Sequence, residues 1–399
     1  MIERNIYLEK LTALKDKQLI KVITGIRRCG KSTMFKLYQD YLLSNGVNKT
    51  QIISINFEDA DFEDLTDYKK LYEYLKLKLL KNKMTYIFLD EIQNVKDFQK
   101  AVDSLYIKDN VDIYITSSNA YLLSGELATL LSGRYVQINM LPLSFKEYSS
   151  AINNNSLISI EKVFSNYLSD GGFPYILNLP DESTKKDYLE GIYNTIVVKD
   201  IMARNKISES SILQCVIKFI FDNIGNTTSA KKISDTLTSY GRKISSPTIE
   251  SYLQALEDSF IVKKVNRYEV SGKQILKTQN KYYVTDLGLQ KVLLSNSKSN
   301  YGHKLGNIVY LELLRRNYKV FIGKVNNLEV DFVAEKDGFT EYYQVSQTVM
   351  DEKVLERELK PLRGIKDHNL KYLLTMDIVP KTNYDGIRQL NIIDWLLEN

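Results

Sequence analysis

A glycine-rich loop between a predicted strand and a predicted helix constrains the fold of this 399-residue chain more than any other feature. The loop matches the spacing G-x-x-x-x-G-K-[ST] in full, and it comprises Gly25, Ile26, Arg27, Arg28, Cys29, Gly30, Lys31 and Ser32. A β-branched run over residues 19–24 leads into the loop, and helical spacing over residues 31–43 follows it. Because a phosphate-binding loop requires this strand–loop–helix context, the alternative of a chance glycine loop is disfavoured.

The residue types of the loop predict a site for ATP and Mg²⁺. Glycines allow the backbone to wrap around phosphates with its N–H groups pointing inward, and the helix N-terminus adds partial positive charge. Lys31 is expected to reach the β- and γ-phosphates and Ser32 to ligate Mg²⁺, while Thr33 completes the nucleotide-binding segment. Cys29 is interpreted as a small loop residue, with a redox-sensitive thiol as the alternative.

Short apolar runs alternate with helical stretches through the first third of the chain. Further strands are predicted over residues 52–57, 86–89, 111–115 and 135–139, with a helix over 126–131 before the last of them. Near-continuous apolar strands separated by helices are typical of a parallel sheet covered on both faces. The predicted fold class is therefore α/β, beginning with a P-loop NTPase sheet.

Polar residues that follow two of these strands complete the predicted catalytic site. Asp90 and Glu91 come directly after the strand over 86–89, at the sheet edge where open α/β folds bind ligands. Asp90 is expected to hold the Mg²⁺ shell and Glu91 to orient and deprotonate the attacking water; a solvated acidic turn is the alternative. Asn119, or else Ser117 or Ser118, is expected to position that water, although the two serines could equally be helix caps.

These motifs together resemble the AAA+ superfamily ATPases of bacteria and archaea that carry a C-terminal domain of unknown function. The resemblance covers nearly the whole chain. The residues that carry it are residues 22–32, Asp90-Glu91-Ile92-Gln93, Leu141-Pro142-Leu143-Ser144-Phe145 with Glu147, Gly171-Gly172-Phe173-Pro174, residues 281–289 and Asp394-Trp395-Leu396-Leu397. The resemblance implies an AAA+ ATPase core, a winged-helix middle and a restriction-endonuclease-like C-terminal domain.

Four domains are expected on this basis. They are the ATPase core (1–142), a helical lid or linker (143–208), a winged helix-turn-helix (209–290) and a small α/β PD-(D/E)xK nuclease-like domain without catalysis (291–399). Arg204 is the candidate nucleotide sensor in the lid. Arg134 follows the helix predicted over 126–131, where an arginine of AAA+ folds reaches the γ-phosphate of a neighbouring subunit. That interpretation predicts ATP-dependent homo-oligomers, and a purely structural arginine is the alternative.

Three predicted helices and a strand pair over residues 211–284 are typical of a winged helix. Ser246 is expected to cap the third helix, with Pro247 in its first turn. Basic residues near the turn and in the wing predict contacts to duplex DNA phosphates; they are Lys231, Lys232, Arg242, Lys243, Arg267 and Lys273. The third helix offers Glu250, Gln254 and Glu257, which does not favour base readout. A solvated basic face on a protein-binding module is the alternative.

The last hundred residues contain a degraded nuclease pattern. Asp331 occupies the position of the first acid, but Gln344 replaces the second acid and Ser346 replaces the lysine. The helix acid expected near Gly306 and Asn307 is absent, with Glu312 one or two turns away, and a chain lacking these charges should hold Mg²⁺ poorly. We therefore expect Asp331 to be a structural acid, and Glu356 and Glu358 to lie on a solvated face.

Composition excludes several classes of protein. No apolar run reaches the length of a membrane span, and the charged N-terminus does not have the pattern of a signal peptide, so a cytoplasmic protein without membrane contact is expected. Two cysteines, Cys29 and Cys215, and two histidines exclude a disulfide framework and a zinc site. A net charge of +5 permits nucleic-acid binding without demanding it.

Three functions remain open. The first is a DNA-associated ATPase, and the second is a nucleotide switch that binds a protein partner in a defence or signalling complex. The third, less favoured, is an ATP-gated nuclease.

Overall fold

The computed structural model describes residues 2–120, 131, 133–153, 158–205, 207, 209–272, 274–294, 301–380 and 382–398. The chain forms two compact units. The first is Met1–Pro142 with Asp258–Phe260, and the second is Leu143–Glu257 with Ile261–Asn399. Lys273 and most of the helix predicted over 126–131 lie outside the described residues. None of the helices in the described ranges is long and apolar enough to cross a membrane.

The first unit is built on a parallel sheet. Its strands are β1 (Ile20–Thr24), β2 (Ile52–Asn56), β3 (Thr85–Asp90), β4 (Val111–Ser117) and β5 (Tyr135–Asn139), in the order β2-β3-β4-β1-β5. All four neighbouring pairs are parallel. The predicted α/β class and the five predicted strands are confirmed. Since parallel strands end at one edge, the residues after β1, β3 and β4 are brought together there.

Helices cover this sheet because their apolar residues recur with helical spacing. They are α1 (Asn5–Ala13), α2 (Lys31–Ser44), α3 (Tyr68–Lys78) and α4 (Phe98–Tyr106), with 3-10 turns at Lys49–Gln51, Ala60–Leu65 and Ile92–Asn94. The core between α3, α4 and the sheet includes Leu71, Leu75, Ile87, Leu105 and Ile115, all fully buried. A buried ion pair between Lys21 and Asp112 also lies in this unit; Asp112 further accepts hydrogen bonds from Asp16 N at 2.9 Å and from Tyr114 Oη at 2.8 Å.

The second unit begins with helices. They are α5 (Phe145–Asn153), α6 (Ile160–Asp170), α7 (Glu182–Thr195), α8 (Ala203–Asn205), α9 (Ser210–Asp222), α10 (Ala230–Ser239), α11 (Ser246–Asp258) and α12 (Gly288–Leu293). A 3-10 turn spans Pro174–Asn178, and a π-helical segment, Ile196–Met202, joins α7 to α8. A reciprocal capping box starts α5: Ser144 N donates to Glu147 Oε2 at 2.8 Å, and Glu147 N donates to Ser144 Oγ at 3.1 Å. That pairing gives the Ser144 and Glu147 motif a structural role.

The remaining helices of the unit are α13 (Tyr301–Arg315), α14 (Glu352–Arg363) and α15 (Ile392–Leu397). Arg316, just beyond α13, lies 4.2 Å from the ring centroid of Trp395 and donates to Trp395 O at 2.6 Å. The cap of α11 differs from the prediction, because Thr248 N donates to Ser245 Oγ at 3.3 Å. Ser245 is the cap, and Ser246 is already helical.

A mixed sheet runs through the second unit. Its strands are β6 (Thr227–Thr228), β7 (Val262–Glu269), β8 (Gln274–Val284), β9 (Lys319–Val325), β10 (Leu328–Lys336), β11 (Phe339–Val345), β12 (Leu370–Thr375), β13 (Thr382–Tyr384) and β14 (Ile387–Asn391). Their order in the described part of the chain is β13-β14-β12-β11-β10-β9-β7-β8-β6. The predicted strand pair β7–β8 is present, but β7 also pairs in parallel with β9, at Arg267↔Ile322. The strands expected to form a free wing are therefore part of a larger sheet, and the boundary predicted at residue 290 has strands of one sheet on both sides.

Candidate functional site

Two glycines shape the loop after β1. A Cβ atom on Gly25 would lie 2.1 Å from Met140 O and 3.1 Å from Cys29 Sγ, so the loop passes too close to the chain after β5 for any side chain at Gly25. Gly30 has φ 107° and ψ 19° at the N-cap position of α2, a left-handed conformation that favours glycine. These glycines turn the loop from the strand into the helix, which is the geometry expected of a phosphate-binding backbone.

The first-turn side chains of α2 face the acids at the end of β3. The Lys31 side chain is almost fully buried, and its Nζ donates to Gly25 O at 3.1 Å and lies 3.4 Å from Glu91 Oε1. Thr116 Oγ1 donates to Asp90 Oδ1, and the Ser32 hydroxyl is close enough to the same carboxyl to lower its pKa. Burial raises the pKa of the Asp90 carboxyl, and these two hydroxyl donors oppose the rise. The structure thus pairs Lys31 with Glu91 and places Ser32 beside Asp90.

Glu91 is held on both carboxylate oxygens. Oε1 faces Lys31, and Oε2 accepts hydrogen bonds from Ser118 Oγ at 3.1 Å and from Gln93 Nε2. Burial alone raises the pKa of the Glu91 carboxyl, but the Lys31 charge and the hydrogen bond from Gln93 outweigh it, so the pKa lies below its ordinary value. A carboxylate that stays ionised next to a phosphate site can accept a proton from water.

The end of β4 lies between the loop and the two acids. Thr116 Oγ1 accepts from Glu91 N at 2.8 Å and donates to Asp90 Oδ1, so one hydroxyl fixes both acids. Asn119 is buried, and its backbone N donates to Ser117 Oγ at 3.0 Å. Ser118 therefore reaches Glu91, while the water-positioning role of Asn119 stays a prediction. Sequence reasoning missed Thr116; its hydroxyl-bearing position at the end of an apolar strand was the available signal.

Residues before β1 also support the loop, and sequence reasoning missed them. Arg4 is 5% exposed, and it donates from Nη1 to Cys29 O at 3.2 Å and from Nη2 to Leu141 O at 2.7 Å.

Within the loop itself, Arg27 forms an ion pair with Glu58 at 2.7 Å. Cys29 is fully buried, and burial raises the pKa of its thiol, which favours the small structural residue over the redox-sensitive thiol. Arg28 and Thr33 are exposed, whereas Ile26 is buried.

Arg134 lies at the other edge of the sheet. It directly precedes β5, its O accepts from Ile20 N at the start of β1, and its guanidinium pairs with Asp103 and lies 5.4 Å from the ring centroid of Tyr106. Arg134 lies beside Ile20 at the start of β1, whereas the phosphate-binding loop follows Thr24 at the end of that strand. Four residues at about 3.3 Å each separate the two ends by about 13 Å. Arg134 therefore does not meet the loop of its own chain, and its role towards a neighbouring subunit stays a prediction. Arg204 pairs with Asp200 at 3.4 Å, and its sensor role likewise stays a prediction.

The basic residues predicted for DNA contact fall into two groups. Lys231 and Lys232 are exposed in the first turn of α10, and Arg242 and Lys243 are exposed in the turn between α10 and α11. Arg267 lies in β7 and donates to Gln279 Oε1 at 2.9 Å, so it is held within the sheet. On α11, Glu250 and Gln254 are exposed and Glu257 is half-buried, which agrees with the predicted lack of a base-reading face.

The degraded nuclease positions form a hydrogen-bonded cluster. Asp331 Oδ2 accepts from Val345 N at 2.8 Å, and Gln344 links Asp331 N to Glu358 Oε2. Burial raises the pKa of the Asp331 carboxyl to about 6. The expectation for Glu358 was wrong: it is 8% exposed and faces Gln344, because the amphipathic helix α14 turns that position toward β11. Glu356 is exposed, as expected, and pairs with Arg363.

Other residues of the nuclease pattern have separate partners. Asn307 binds both backbone groups of Val284, and Glu312 pairs with Arg315 and Arg316. Ser346 Oγ donates to Thr348 O at 3.1 Å. Within the described ranges there is no group of three or more His, Cys, Asp or Glu side chains that could hold a metal ion.

A glycine loop with a buried lysine, placed at the carboxyl edge of a parallel sheet and facing an aspartate–glutamate pair, defines a Walker-type P-loop NTPase. Comparison with known proteins agrees. The model of the AAA domain matches residues 17–149, and the model of a domain of unknown function (DUF8612) matches residues 161–300.

Relatives over the full length narrow the class to a family. An uncharacterized protein of Haemophilus influenzae is 41% identical over 400 residues, covering 100% of this chain and 99% of the relative. One from Methanocaldococcus jannaschii is 33% identical over 375 residues, covering 90% of this chain and 82% of the relative. The chain therefore belongs to the family of AAA-domain ATPases represented by these two proteins.

A solved structure supports the fold. The Walker-type ATPase paby2304 of Pyrococcus abyssi has a TM-score of 0.53 with 16% sequence identity, covering 73% of this chain and 96% of that one.

Proposed function

We propose that this chain binds Mg·ATP at the loop after β1 and hydrolyses it. The observation that carries the proposal is that Lys31 Nζ lies 3.4 Å from Glu91 Oε1, while Thr116 Oγ1 donates to Asp90 and accepts from Glu91 N. The Ser32 hydroxyl and the Asp90 carboxylate are the hard oxygen ligands that Mg²⁺ takes together with phosphates and waters, so these two residues fit the ion. When bound, Mg²⁺ would neutralise charge that develops on the phosphates.

Each residue of the proposed site then has a distinct role. The backbone N–H groups of residues 25–33 bind the phosphates, and Lys31 moves its ammonium from Glu91 to the β- and γ-phosphates. Glu91 orients a water molecule and accepts its proton as the oxygen–phosphorus bond forms and ADP leaves. Asn119 holds that water from the side of β4.

Binding and chemistry are separable by mutation. Lys31→Ala should weaken Mg·ATP binding by about 10–100-fold, because a buried charge pairs with phosphate there. Equilibrium binding of a fluorescent ATP analogue with and without Mg²⁺ measures this. Lys36→Ala, an exposed lysine on the same helix, is the matched control. Equal affinity of the Lys31 variant and the wild type would contradict the site.

Arg134 is proposed to contact the γ-phosphate bound by a neighbouring subunit. Its partner Asp103 is half-exposed, with 35% of the side chain accessible, and an ion pair at such exposure contributes about 0–1 kcal/mol, so Arg134 can be released at little cost. Arg134→Ala should lower ATP turnover while leaving ATP binding intact, and only under conditions where the wild type forms oligomers. Turnover equal to wild type in an oligomer would contradict the trans role.

Duplex DNA is a second candidate partner, favoured by four exposed cations: Lys231 and Lys232 in the first turn of α10, and Arg242 and Lys243 in the turn between α10 and α11. Contacts of this kind bind phosphates and carry little sequence information. The logarithm of the binding constant should fall linearly with the logarithm of the salt concentration, with a slope of magnitude near one for each phosphate neutralised. Lys231→Ala/Lys232→Ala should reduce that slope by about two. If the chain does not bind duplex DNA at low salt, DNA is excluded as the partner, and the alternative of a nucleotide switch that binds a protein partner is favoured.

The cluster around Asp331 is proposed to be structural. Gln344 occupies the position of an acid; it accepts from the backbone N of Asp331 and donates to Glu358 Oε2, which stabilises the contact between β10, β11 and α14. Mg²⁺-dependent cleavage of DNA that is lost in Asp331→Ala would overturn this and support the ATP-gated nuclease.

A further inference from the structure

The Glu91 carboxylate sits on an unusual backbone. Glu91 has φ 54° and ψ 48°, a left-handed conformation that costs a non-glycine residue about 1–2 kcal/mol. Two contacts hold it there: Glu91 N donates to Thr116 Oγ1, and Glu91 O accepts from Asn94 N at 3.1 Å. The turn that follows brings the side chain of Gln93 back onto Glu91. Strain of this kind persists where the surroundings enforce it, often at active sites.

The orientation of the Gln93 amide is determined by its neighbours. An ionised carboxylate only accepts hydrogen bonds, so Nε2 must face Glu91 Oε2, and it also lies 3.4 Å from Ser118 Oγ. The opposite amide oxygen, Gln93 Oε1, is then buried without a hydrogen-bond partner in the part of the chain that the structure describes. A buried acceptor left unpaired costs about 1–3 kcal/mol, so folding stability alone does not account for the arrangement.

We propose that Gln93 and Ser118 are positioning residues that hold Oε2 of Glu91, so that Oε1 faces Lys31 and the phosphate site as the base. This inference rests on the proposed hydrolysis. Both donors bind the same oxygen, from the turn after β3 on one side and from the end of β4 on the other. A carboxylate fixed at one oxygen presents the other in one direction, which is what general-base catalysis requires.

Two variants test the positioning role. Gln93→Met keeps the length of the side chain but cannot donate, and Ser118→Ala removes the hydroxyl with little change in volume. Each should lower kcat by about 10–100-fold and leave Mg·ATP affinity within about twofold. The control is Gln51→Met, because Gln51 donates to Met84 O at 2.9 Å, at the opposite end of β2 and β3 from Glu91.

The outcomes separate this inference from the proposed function. Wild-type kcat in both variants would overturn the positioning role alone. A loss confined to Mg·ATP affinity, with kcat unchanged, would also overturn it, since that result indicates a structural role. Absence of turnover in the wild type would overturn the proposed hydrolysis itself, and the positioning role with it.

Discussion

Removing the Arg4 guanidinium should loosen the phosphate-binding loop from a distance. Arg4→Met keeps most of the apolar stem but leaves Cys29 O and Leu141 O without this donor. Hydrogen bonds from charged donors contribute about 1.5–3 kcal/mol each, and the bond at 3.2 Å belongs at the weak end. With one bond at the weak end, the two together give an expected loss of about 3–4.5 kcal/mol in the stability of the first unit. In the variant, Mg·ATP must order a looser loop when it binds, and we expect this to cost about 1 kcal/mol of the binding free energy. The affinity for Mg·ATP should therefore be about 5–10-fold weaker.

Two probes in one sample separate the effect from general damage. The sole tryptophan, Trp395, lies in the second unit, so its fluorescence should report an unchanged urea midpoint there. Far-UV circular dichroism should show an earlier transition from the first unit, and titration with a fluorescent ATP analogue gives the affinity. Lys10→Met, which removes the same charge from α1, is the control for long-range electrostatics. Wild-type affinity together with an unchanged first transition would refute the reasoning.

Three further predictions concern the glycine contact, the buried ion pair and a buried acid. Gly25→Ala should abolish measurable Mg·ATP binding because its Cβ meets Met140 O, whereas Gly191→Ala, with open space around it, should bind normally. Asp112→Asn should cost about 3–5 kcal/mol in urea unfolding followed by circular dichroism, because Lys21 is left as an uncompensated buried charge; a cost below about 1 kcal/mol would contradict this. Asp286 accepts from Gly172 N at 2.7 Å and Gly288 N at 2.8 Å, and burial raises its pKa from 3.8 to about 7. The folded chain then retains a proton that the unfolded chain releases, so the Asp286 contribution to stability should fall as pH rises from about 4 to 7 and level off above. Asp286→Asn should remove that slope in Trp395 fluorescence unfolding, and an unchanged slope would assign it to other groups.

The parts of the site that lie close in sequence were predictable. The spacing from Gly25 to Ser32, the strand before it and the acids after β3 are local patterns whose chemistry requires that order. The parallel sheet followed from the strand runs, and it placed the strand ends at one edge before any contact was known.

Contacts between distant residues were not predictable in the same way. Arg4 reaches Leu141, 137 positions away, and nothing in the local pattern around Arg4 distinguishes it from a solvated arginine. The strands of the expected wing were found, but a strand edge can pair with any compatible edge, and its pairing with β9 depends on the rest of the fold. Glu358 was misplaced for a related reason: its partner Gln344 comes from a different element.

Steady-state ATP hydrolysis by the wild type and by Glu91→Gln, each with Mg²⁺, tests the proposed catalytic role of Glu91 most directly. We expect Mg²⁺-dependent turnover by the wild type, a loss of about 100-fold or more in the variant, and equal ATP affinity in both, since only the base is removed. Turnover in Glu91→Gln equal to that of the wild type would contradict the assignment of Glu91 as the base. No turnover by the wild type would leave a nucleotide-binding protein and contradict the proposed hydrolysis.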